Sequence, residues 1–232
     1  MKLAQHHKDK LLEISNKVKS ANTSRFLGGF VWIDESFKGQ LFEEVDVFEF
    51  INLYPNIICL LYDEGFKLEG ELENINKIKY YLQNRNQLRI DDNQKYIEYR
   101  TFVNGYYGYL ANPYNPVNSY PHHAPKIEGI IICTLVCEYM YMIYDELLEN
   151  NSNILYIDTD SIFHVGNMKL PDISLPFEKS GRIDIIFEGK KKYVLYDGNR
   201  IYTKGYKSKT RSDIESEMII NVRNKKLNKI GI

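Results

Sequence analysis

The chain has 232 residues and a formal net charge of −1 at pH 7, a length that suits one medium domain or two small ones. Its three cysteines are too few for a disulfide scaffold and lack the spacing of a zinc site, so a reducing compartment is expected. The longest apolar stretch, residues 130–142, contains Glu138 and is too short to cross a bilayer, so no membrane partner is expected.

Charge is distributed unevenly along the chain. An acidic run lies between Asp34 and Glu49, and a basic run lies between Gly189 and Arg211. A separation of sign is a better indicator of a phosphate-bearing partner than the near-zero total, so the basic run is a candidate nucleic-acid surface.

The first third of the chain predicts one helix and two strands. Residues 2–19 have an apolar stripe at helical spacing. A strand opened by the glycine pair 28–29 is expected at residues 26–32, and a second at residues 44–54, where Pro55 ends it.

The middle of the chain is predicted to be helical. Helices are expected at residues 72–89 and 94–107, with Gly108 as the C-cap of the second. Four prolines make residues 112–125 an irregular loop, and residues 126–149 form a long, largely buried helix.

The last third returns to strands. A hairpin is expected from residues 154–157 and 161–165, followed by strands at residues 181–188, 191–196 and 200–203. Strands at both ends with helices between them predict an α+β fold.

Asp158 and Asp160 lie two residues apart at the hairpin turn, so both carboxylates can point to one side. Carboxylate oxygens displayed in this way suit Mg²⁺. An Asp-x-Asp turn by itself is more often a solvated turn. The apolar strands on both sides, which would hold the turn rigidly, favour a metal site.

Two further segments combine residues of interest. Glu49 ends an apolar strand five residues before Tyr54; by itself this pattern is better explained by an edge strand with a buried tyrosine. Arg100 and Asn104 lie four apart on one helical face, where they could meet a triphosphate and a sugar or base. By itself this pair is better explained by an ordinary amphipathic helix that ends at Gly108.

The basic run interleaves lysines and tyrosines, a pattern that suits binding to a nucleic-acid backbone. Each piece by itself is as well explained by a charged edge strand. The residues are Lys190, Lys191, Lys192, Tyr193, Lys204 and Gly205, followed by residues 211–213.

Together the segments resemble family B DNA polymerases, which carry Y-x-G-G, D-x-x-S-L-Y-P-S-I-I, K-x-x-x-N-S-x-Y-G, Y-x-D-T-D-S, K-K-x-Y and a K-G element in this order. Six weak matches in one order are jointly strong, and they cover residues 25–213. The matching segments are residues 26–29, 49–58, 100–108, 156–161, 190–193 and 204–213.

The resemblance implies a polymerase palm with a mainly antiparallel sheet and a short helical-hairpin fingers subdomain. No exonuclease domain is expected before the first motif, and the residues after Asp213 are too few for a full thumb. The implied parts are an N-terminal helix or linker (1–24), the first palm part with motif A (25–62), fingers and motif B (63–108), the second palm part with motif C and the KKxY-like strand (109–205), and a basic tail or thumb start (206–232).

The resemblance also assigns a metal site. Asp160 corresponds to the principal ligand and Asp158 to its less direct neighbour. Glu49 stands where the family has its other metal-binding aspartate, and the carbonyl of Phe50 would also face the metal. Two Mg²⁺ ions are implied, and Mn²⁺ can substitute for them. Asp46 would face the opposite side of an extended strand and is no replacement for Glu49.

Nucleotide contacts are implied for Phe50 and for four further residues. Tyr54 resembles the steric gate that rejects a 2′-hydroxyl, Asn104 keeps its place beside the nucleotide, and Arg100 replaces the usual lysine. Arg85 resembles the basic residue that grips the triphosphate, and Arg89 is a rival for that role.

The implied function is that of a DNA-directed DNA polymerase core that adds deoxynucleotides to a primer 3′ end. Its partners would be primer–template DNA, deoxynucleoside triphosphates and either a separate exonuclease or thumb chain or a terminal protein. A catalytically impaired module that binds primer–template or another protein is the alternative, because Glu49 replaces aspartate. Asn52 and Gly105 replace serines, and both of these changes are tolerable. An unrelated α+β binding domain would require six ordered coincidences and is set aside.

Overall fold

The computed structural model describes residues 4–21, 29–66, 72–111, 127–168, 175–197 and 200–206. These residues form helices and a mainly antiparallel sheet, which confirms the α+β prediction. The helices are α1 (Gln5–Ala21), α2 (Leu53–Asp63), α3 (Leu72–Asp91), α4 (Asn93–Ala111) and α5 (Ile127–Glu149). The strands are β1 (Val31–Ile33), β2 (Leu41–Phe50), β3 (Asn153–Asp158), β4 (Ser161–Val165), β5 (Phe177–Gly189), β6 (Lys192–Tyr196) and β7 (Ile201–Lys204).

Within the described residues the order and type of the predicted elements are confirmed, but helix α2 was not predicted and several boundaries are wrong. β2 ends at Phe50 rather than at residue 54, and the chain enters α2 at Leu53. Pro55 therefore lies in the first turn of a helix, where backbone N–H groups have no partner within the helix and the missing N–H of proline costs no hydrogen bond. Gly108 lies inside α4, which continues to Ala111, so it is not a C-cap.

Some predicted segments fall outside the described residues. These are the start of the first strand (residues 26–28), the proline-rich loop and the residues beyond 206. The assignments made for them stay predictions.

The chain divides into two compact units. The first comprises residues 1–30, 50–146 and 170–177, and the second comprises residues 31–49, 147–169 and 178–232.

In the first unit, helices α2, α3 and α4 pack on one another. The buried face of α3 presents Ile75, Ile78 and Tyr81, spaced three residues apart, as a helix against a core requires. Across the α3–α4 hairpin, the Tyr81 and Tyr96 rings lie 6.1 Å apart.

Helix α5 is long and apolar enough to cross a membrane by length and composition alone. Most of its apolar window is buried inside the protein. The central helix of a packed core passes the same test, so this is weak evidence for a membrane span.

The second unit is built on the seven-stranded sheet, in the order β1-β3-β4-β2-β5-β6-β7. Antiparallel pairing joins β1 to β3, β3 to β4, β4 to β2, β5 to β6 and β6 to β7. The core against the sheet is rich in aromatic rings, and the Tyr156 ring lies 4.9 Å from Phe187 and 5.5 Å from Tyr193. Such contacts add to the stabilisation from burial, so the end of β3 and the start of β6 are held by packing against the aromatic core.

Candidate functional site

Two of the predicted catalytic carboxylates are aligned by strand register in the second unit. Ser161 on β4 pairs with Glu49 on β2 and with Asp158 on β3. Residues opposite one another in neighbouring strands point to the same face of a sheet. Glu49 and Asp158 therefore flank Ser161 on one face, with Cα atoms about 10 Å apart, which is two strand spacings.

Asp160 lies in the tight turn that joins β3 to β4. The preceding Thr159 has a φ of 63°, a conformation that β-branched residues rarely adopt. The Asp160 N–H donates a 2.7 Å hydrogen bond to the carbonyl of Asp158. Strain of this kind persists where the surroundings hold it, and it clusters at functional sites.

The carboxylates of Glu49, Asp158 and Asp160 are called the carboxylate site below, and the charges of the first two act on Asp160. Burial is the largest cause that raises the pKa of Asp160 to about 6, and the negative charge of Glu49 and then that of Asp158 add to it. The backbone N–H of Asp160 and the Lys204 charge act in the opposite direction. Mutual repulsion of this kind favours a cation.

Asp158 has partners within the protein. It is 4% exposed, and its Oδ2 accepts a hydrogen bond from Lys204 Nζ at 2.5 Å and a long one from the Tyr193 hydroxyl at 3.4 Å. Thr159 Oγ1 donates to its other oxygen at 3.3 Å. The charge of Asp158 is thus compensated by Lys204.

Lys204 is held by this contact. Burial lowers the pKa of its ammonium, but the hydrogen bond to Asp158, the interaction with the Tyr193 hydroxyl and the charge of Asp158 outweigh burial, and the net pKa is raised. Lys204 therefore stays charged beside Asp158.

Glu49 is exposed and Asp160 is partly buried. Among the residues that the structure describes, neither has an ion-pair partner. These two carboxylates are the ones open to a ligand. Asp46 is buried on the other face of β2, where Lys179 Nζ lies 3.0 Å from its Oδ2.

Carboxylate oxygens are the donors that Mg²⁺ and Mn²⁺ prefer, so the chemistry of the carboxylate site fits these ions. The three carboxylates are not a set whose ligand atoms all lie within 4.8 Å of one another. Holding an ion with all three would therefore require side-chain rotation.

The predicted DNA-binding residues fall into two groups. Lys190 and Lys191 are exposed in the β5–β6 turn, and the Lys191 N–H donates to the Tyr156 hydroxyl at 2.7 Å. Lys192 pairs with Glu188 at 2.9 Å and lies over the Tyr206 ring.

Tyr193 and Gly205 have structural roles that explain their identity. The Tyr193 ring is part of the aromatic core. Gly205 has a φ of 80°, and a Cβ there would lie 2.3 Å from the Lys191 carbonyl oxygen. Only glycine allows this approach of the backbone after β7 to the β5–β6 turn.

The predicted nucleotide-binding residues all lie in the first unit. Arg100 and Asn104 are both exposed on α4, and their spacing puts them on one face of the helix. The Tyr54 ring in the first turn of α2 lies 4.0 Å from the Tyr107 ring, centroid to centroid. Phe50 is buried, and its ring meets Tyr139 edge-on at 5.7 Å.

Arg85 is partly buried on α3 and lines a cavity of about 700 Å³ together with Asn52 and Asn56. The Tyr80 and Tyr99 rings lie 5.3 Å apart across the α3–α4 hairpin. Because the two helices are antiparallel, Arg100 on α4 lies opposite residue 79 on α3. Arg85 therefore lies about 9 Å closer to the hairpin tip than Arg100. Its rival Arg89 is exposed in the last turn of α3.

Two supporting contacts were missed from the sequence. Asn56 Nδ2 donates to the carbonyls of Ile51 and Asn52 at 3.0 Å each and so closes the turn between β2 and α2. The Lys204–Asp158 pair is the other. A lysine before a glycine was the one available signal, and it did not identify the partner.

No protein-family model matches the sequence, and no curated protein matches it. Solved structures do match in fold. Phi29 DNA polymerase complexed with single-stranded DNA has a TM-score of 0.51 and 14% identity, over 87% of this chain and 56% of that one. The phi29 ternary complex with primer-template DNA and incoming nucleotide has a TM-score of 0.52 and 14% identity, over 87% and 57%.

A third similar structure is the family B DNA polymerase from the hyperthermophilic archaeon Pyrobaculum calidifontis. It has a TM-score of 0.52 and 15% identity, over 86% of this chain and 33% of that one. The chain thus spans little more than half of phi29 DNA polymerase and a third of the archaeal enzyme. Identity this low concerns the fold alone. The described part of this chain has a fold similar to that of family B DNA polymerases.

Proposed function

We propose that the chain is a catalytic core of a DNA-directed DNA polymerase, with the sheet of the second unit as its palm and the α3–α4 hairpin as its fingers. One observation carries the proposal. Register aligns Glu49 and Asp158 on either side of Ser161, and Asp160 lies in the turn beside them. The fold similarity supports it independently.

In this proposal Glu49 and Asp160 would hold two Mg²⁺ ions, or Mn²⁺ in their place, together with the carbonyl of Phe50. When bound, the ions would lower the pKa of the primer 3′-hydroxyl and stabilise charge on the pyrophosphate that leaves. Asp158 acts less directly, which agrees with its ion pair to Lys204.

The helical residues would position the incoming deoxynucleoside triphosphate. Arg100 and Arg85 would neutralise phosphate charge, and Asn104 would donate to the sugar or base. Tyr54 would exclude a 2′-hydroxyl, and its contact with Tyr107 would keep the ring in place. Positioning and charge stabilisation supply most of the catalysis in phosphoryl transfer.

Primer–template DNA would meet the exposed lysines of the basic run. Lys190 and Lys191 are exposed to solvent in the β5–β6 turn. Such contacts are independent of sequence and weaken with salt. A separate exonuclease or thumb chain, or a terminal protein, would complete the assembly.

A catalytically impaired DNA-binding module is the second candidate, and a specific observation favours it. Glu49 is one methylene longer than aspartate, and Lys204 already compensates Asp158. Mg²⁺ tolerates little departure from octahedral geometry, and small misplacements of catalytic groups cost about a hundredfold in rate.

Primer extension by the purified chain and by Glu49→Asp, in Mg²⁺ and in Mn²⁺, separates the two candidates. Extension by either protein supports the polymerase. If neither extends a primer, yet both bind primer–template with an affinity that falls steeply with salt, the chain is the impaired module. Loss of both extension and binding would contradict both candidates.

A further inference from the structure

Two histidines and a glutamate converge in the first unit, and none of the three is assigned a role above. His6 and His7 lie in the first turn of α1, and Glu146 lies near the end of α5. Glu146 Oε1 is 2.6 Å from His7 Nε2 and 3.2 Å from His6 Nε2. All three possible ligand atoms lie within 4.8 Å of one another.

We propose that His6, His7 and Glu146 bind a zinc-type transition-metal ion that ties α1 to α5. Imidazole nitrogen and carboxylate oxygen are ligands of Zn²⁺, which takes three protein ligands and a water in open sites. Mg²⁺ takes oxygen ligands instead. This site therefore selects a different ion from the carboxylate site, and it stands independently of the proposed function.

The spacing of the ligand atoms fits a tetrahedral ion. With metal–ligand distances of about 2.0–2.1 Å, two tetrahedral ligands lie about 3.3 Å apart. The His6–Glu146 separation of 3.2 Å already has this value, and the His7–Glu146 separation of 2.6 Å must open by roughly 0.7 Å. Metal binding therefore requires the His7 and Glu146 side chains to move apart by this amount.

Exposure leaves one coordination position accessible. His7 is buried, Glu146 is partly buried, and the His6 side chain is 65% exposed. The ion would therefore be coordinated by His7 and Glu146 on the protein side and by His6 on the solvent side. Water can fill the fourth position there.

Hydrogen bonding alone is the simpler explanation, and it needs a different arrangement of protons. Two hydrogen bonds to Glu146 require N–H on Nε2 of both rings, whereas a metal requires bare Nε2 on both. Within the described part of the chain, Nδ1 of His7 is buried without a hydrogen-bond partner. Nε2 is thus the one anchored nitrogen of that ring.

A metal at this position would stabilise the first unit. It would cross-link residues about 140 positions apart in sequence, and an ion that binds the folded state better than the unfolded state raises stability by mass action. Binding would release protons and weaken at acid pH, because both imidazoles must be neutral.

The test is a calorimetric titration of the metal-free chain with ZnCl₂, followed by thermal unfolding with ZnCl₂ or MgCl₂. We expect one Zn²⁺ per chain, a rise in Tm of about 5 °C or more at roughly 100-fold excess over Kd, and no such rise with MgCl₂. His6→Gln, at an exposed position, and Glu146→Gln should each weaken Zn²⁺ binding by about tenfold or more.

The chain offers a matched control. His122 and His123 are a second adjacent histidine pair, outside the described residues, so the double change His122→Gln and His123→Gln tests generic binding to paired histidines. Unchanged binding in this control supports the proposal. Zn²⁺ binding that survives both His6→Gln and Glu146→Gln, that disappears in the control, or that leaves Tm unchanged overturns it.

Discussion

Lys204 Nζ lies 2.5 Å from Oδ2 of Asp158, so a lysine charge stands inside the cluster of candidate catalytic carboxylates. The pair joins the end of β3 to the end of β7, strands that are far apart in the sheet order. It distinguishes Asp158, which is compensated by the protein, from Glu49 and Asp160, which are open to a ligand. This division of roles gives a set of measurable consequences.

Removing the Lys204 charge should destabilise the fold. Lys204→Met leaves Asp158 buried without its cation, and breaking a buried pair costs about 3–5 kcal/mol. Because Lys204 is about half exposed, solvent screening reduces this cost. We expect urea unfolding to show a loss of roughly 2 kcal/mol in the free energy of unfolding. Lys190→Met, at an exposed lysine, is the control and should leave the midpoint unchanged. Equal midpoints for both variants would show that the pair contributes nothing.

Asp160→Asn should stabilise the metal-free protein, and the gain should depend on pH. The pKa of Asp160 is about 6 in the folded state against an ordinary 3.8. Between these values the folded state binds more protons, so this group lowers stability as pH rises from about 4 to 6. A shift of about two pKa units corresponds to up to about 3 kcal/mol.

The measurement for this effect is thermal unfolding in EDTA at pH 4 and pH 7. Asp160→Asn should raise Tm at pH 7 and have little effect at pH 4, where the carboxyl is protonated. A gain of the same size at both pH values would show that charge repulsion is not its cause.

Gly205→Ala should be strongly unfavourable, because the new Cβ would lie 2.3 Å from a backbone oxygen at positive φ. We expect a loss of about 2 kcal/mol or more in unfolding free energy. Gly108→Ala is the opposite control. Gly108 lies inside α4 with nothing within 4 Å of a Cβ. The alanine variant should therefore have a free energy of unfolding about 0.5–1 kcal/mol higher. A tolerated alanine at 205 would contradict the close approach.

Tyr54→Val should lower discrimination against ribonucleotides if the chain extends primers. The tyrosine ring, held by Tyr107, would no longer oppose a 2′-hydroxyl. Steady-state incorporation of ATP and dATP opposite the same template base measures the ratio. Tyr107→Phe keeps a ring beside Tyr54 and should change the ratio less. An unaltered ratio in Tyr54→Val would reduce Tyr54 to a packing residue.

Local patterns predicted much of the fold, because periodicity and turn residues act over short distances. Helices α3, α4 and α5 and the β3–β4 hairpin were identified in this way. The Asp46 side chain lies on the opposite face from Glu49, as strand alternation requires. The family resemblance was also needed to link the motifs, since each one by itself had an ordinary structural explanation.

What sequence could not supply were contacts set by tertiary packing. A proline is compatible with the end of a strand and with the first turn of a helix. Here Asn52, with a left-handed φ of 52°, is the N-cap of α2, so Pro55 lies in the helix. The partner of Asp158 lies 46 residues away, beyond any local pattern. The close approach that requires Gly205 likewise depends on a turn on another strand.

Primer extension by Asp160→Asn tests the polymerase proposal most directly, with Glu44→Gln as the control because Glu44 is an exposed acid on the same strand as Glu49. Wild type and Glu44→Gln should extend a primer in Mg²⁺ at similar rates. Asp160→Asn should lose extension by about a hundredfold or more while it still binds primer–template. Extension by Asp160→Asn at the wild-type rate would contradict a catalytic role for the carboxylate site.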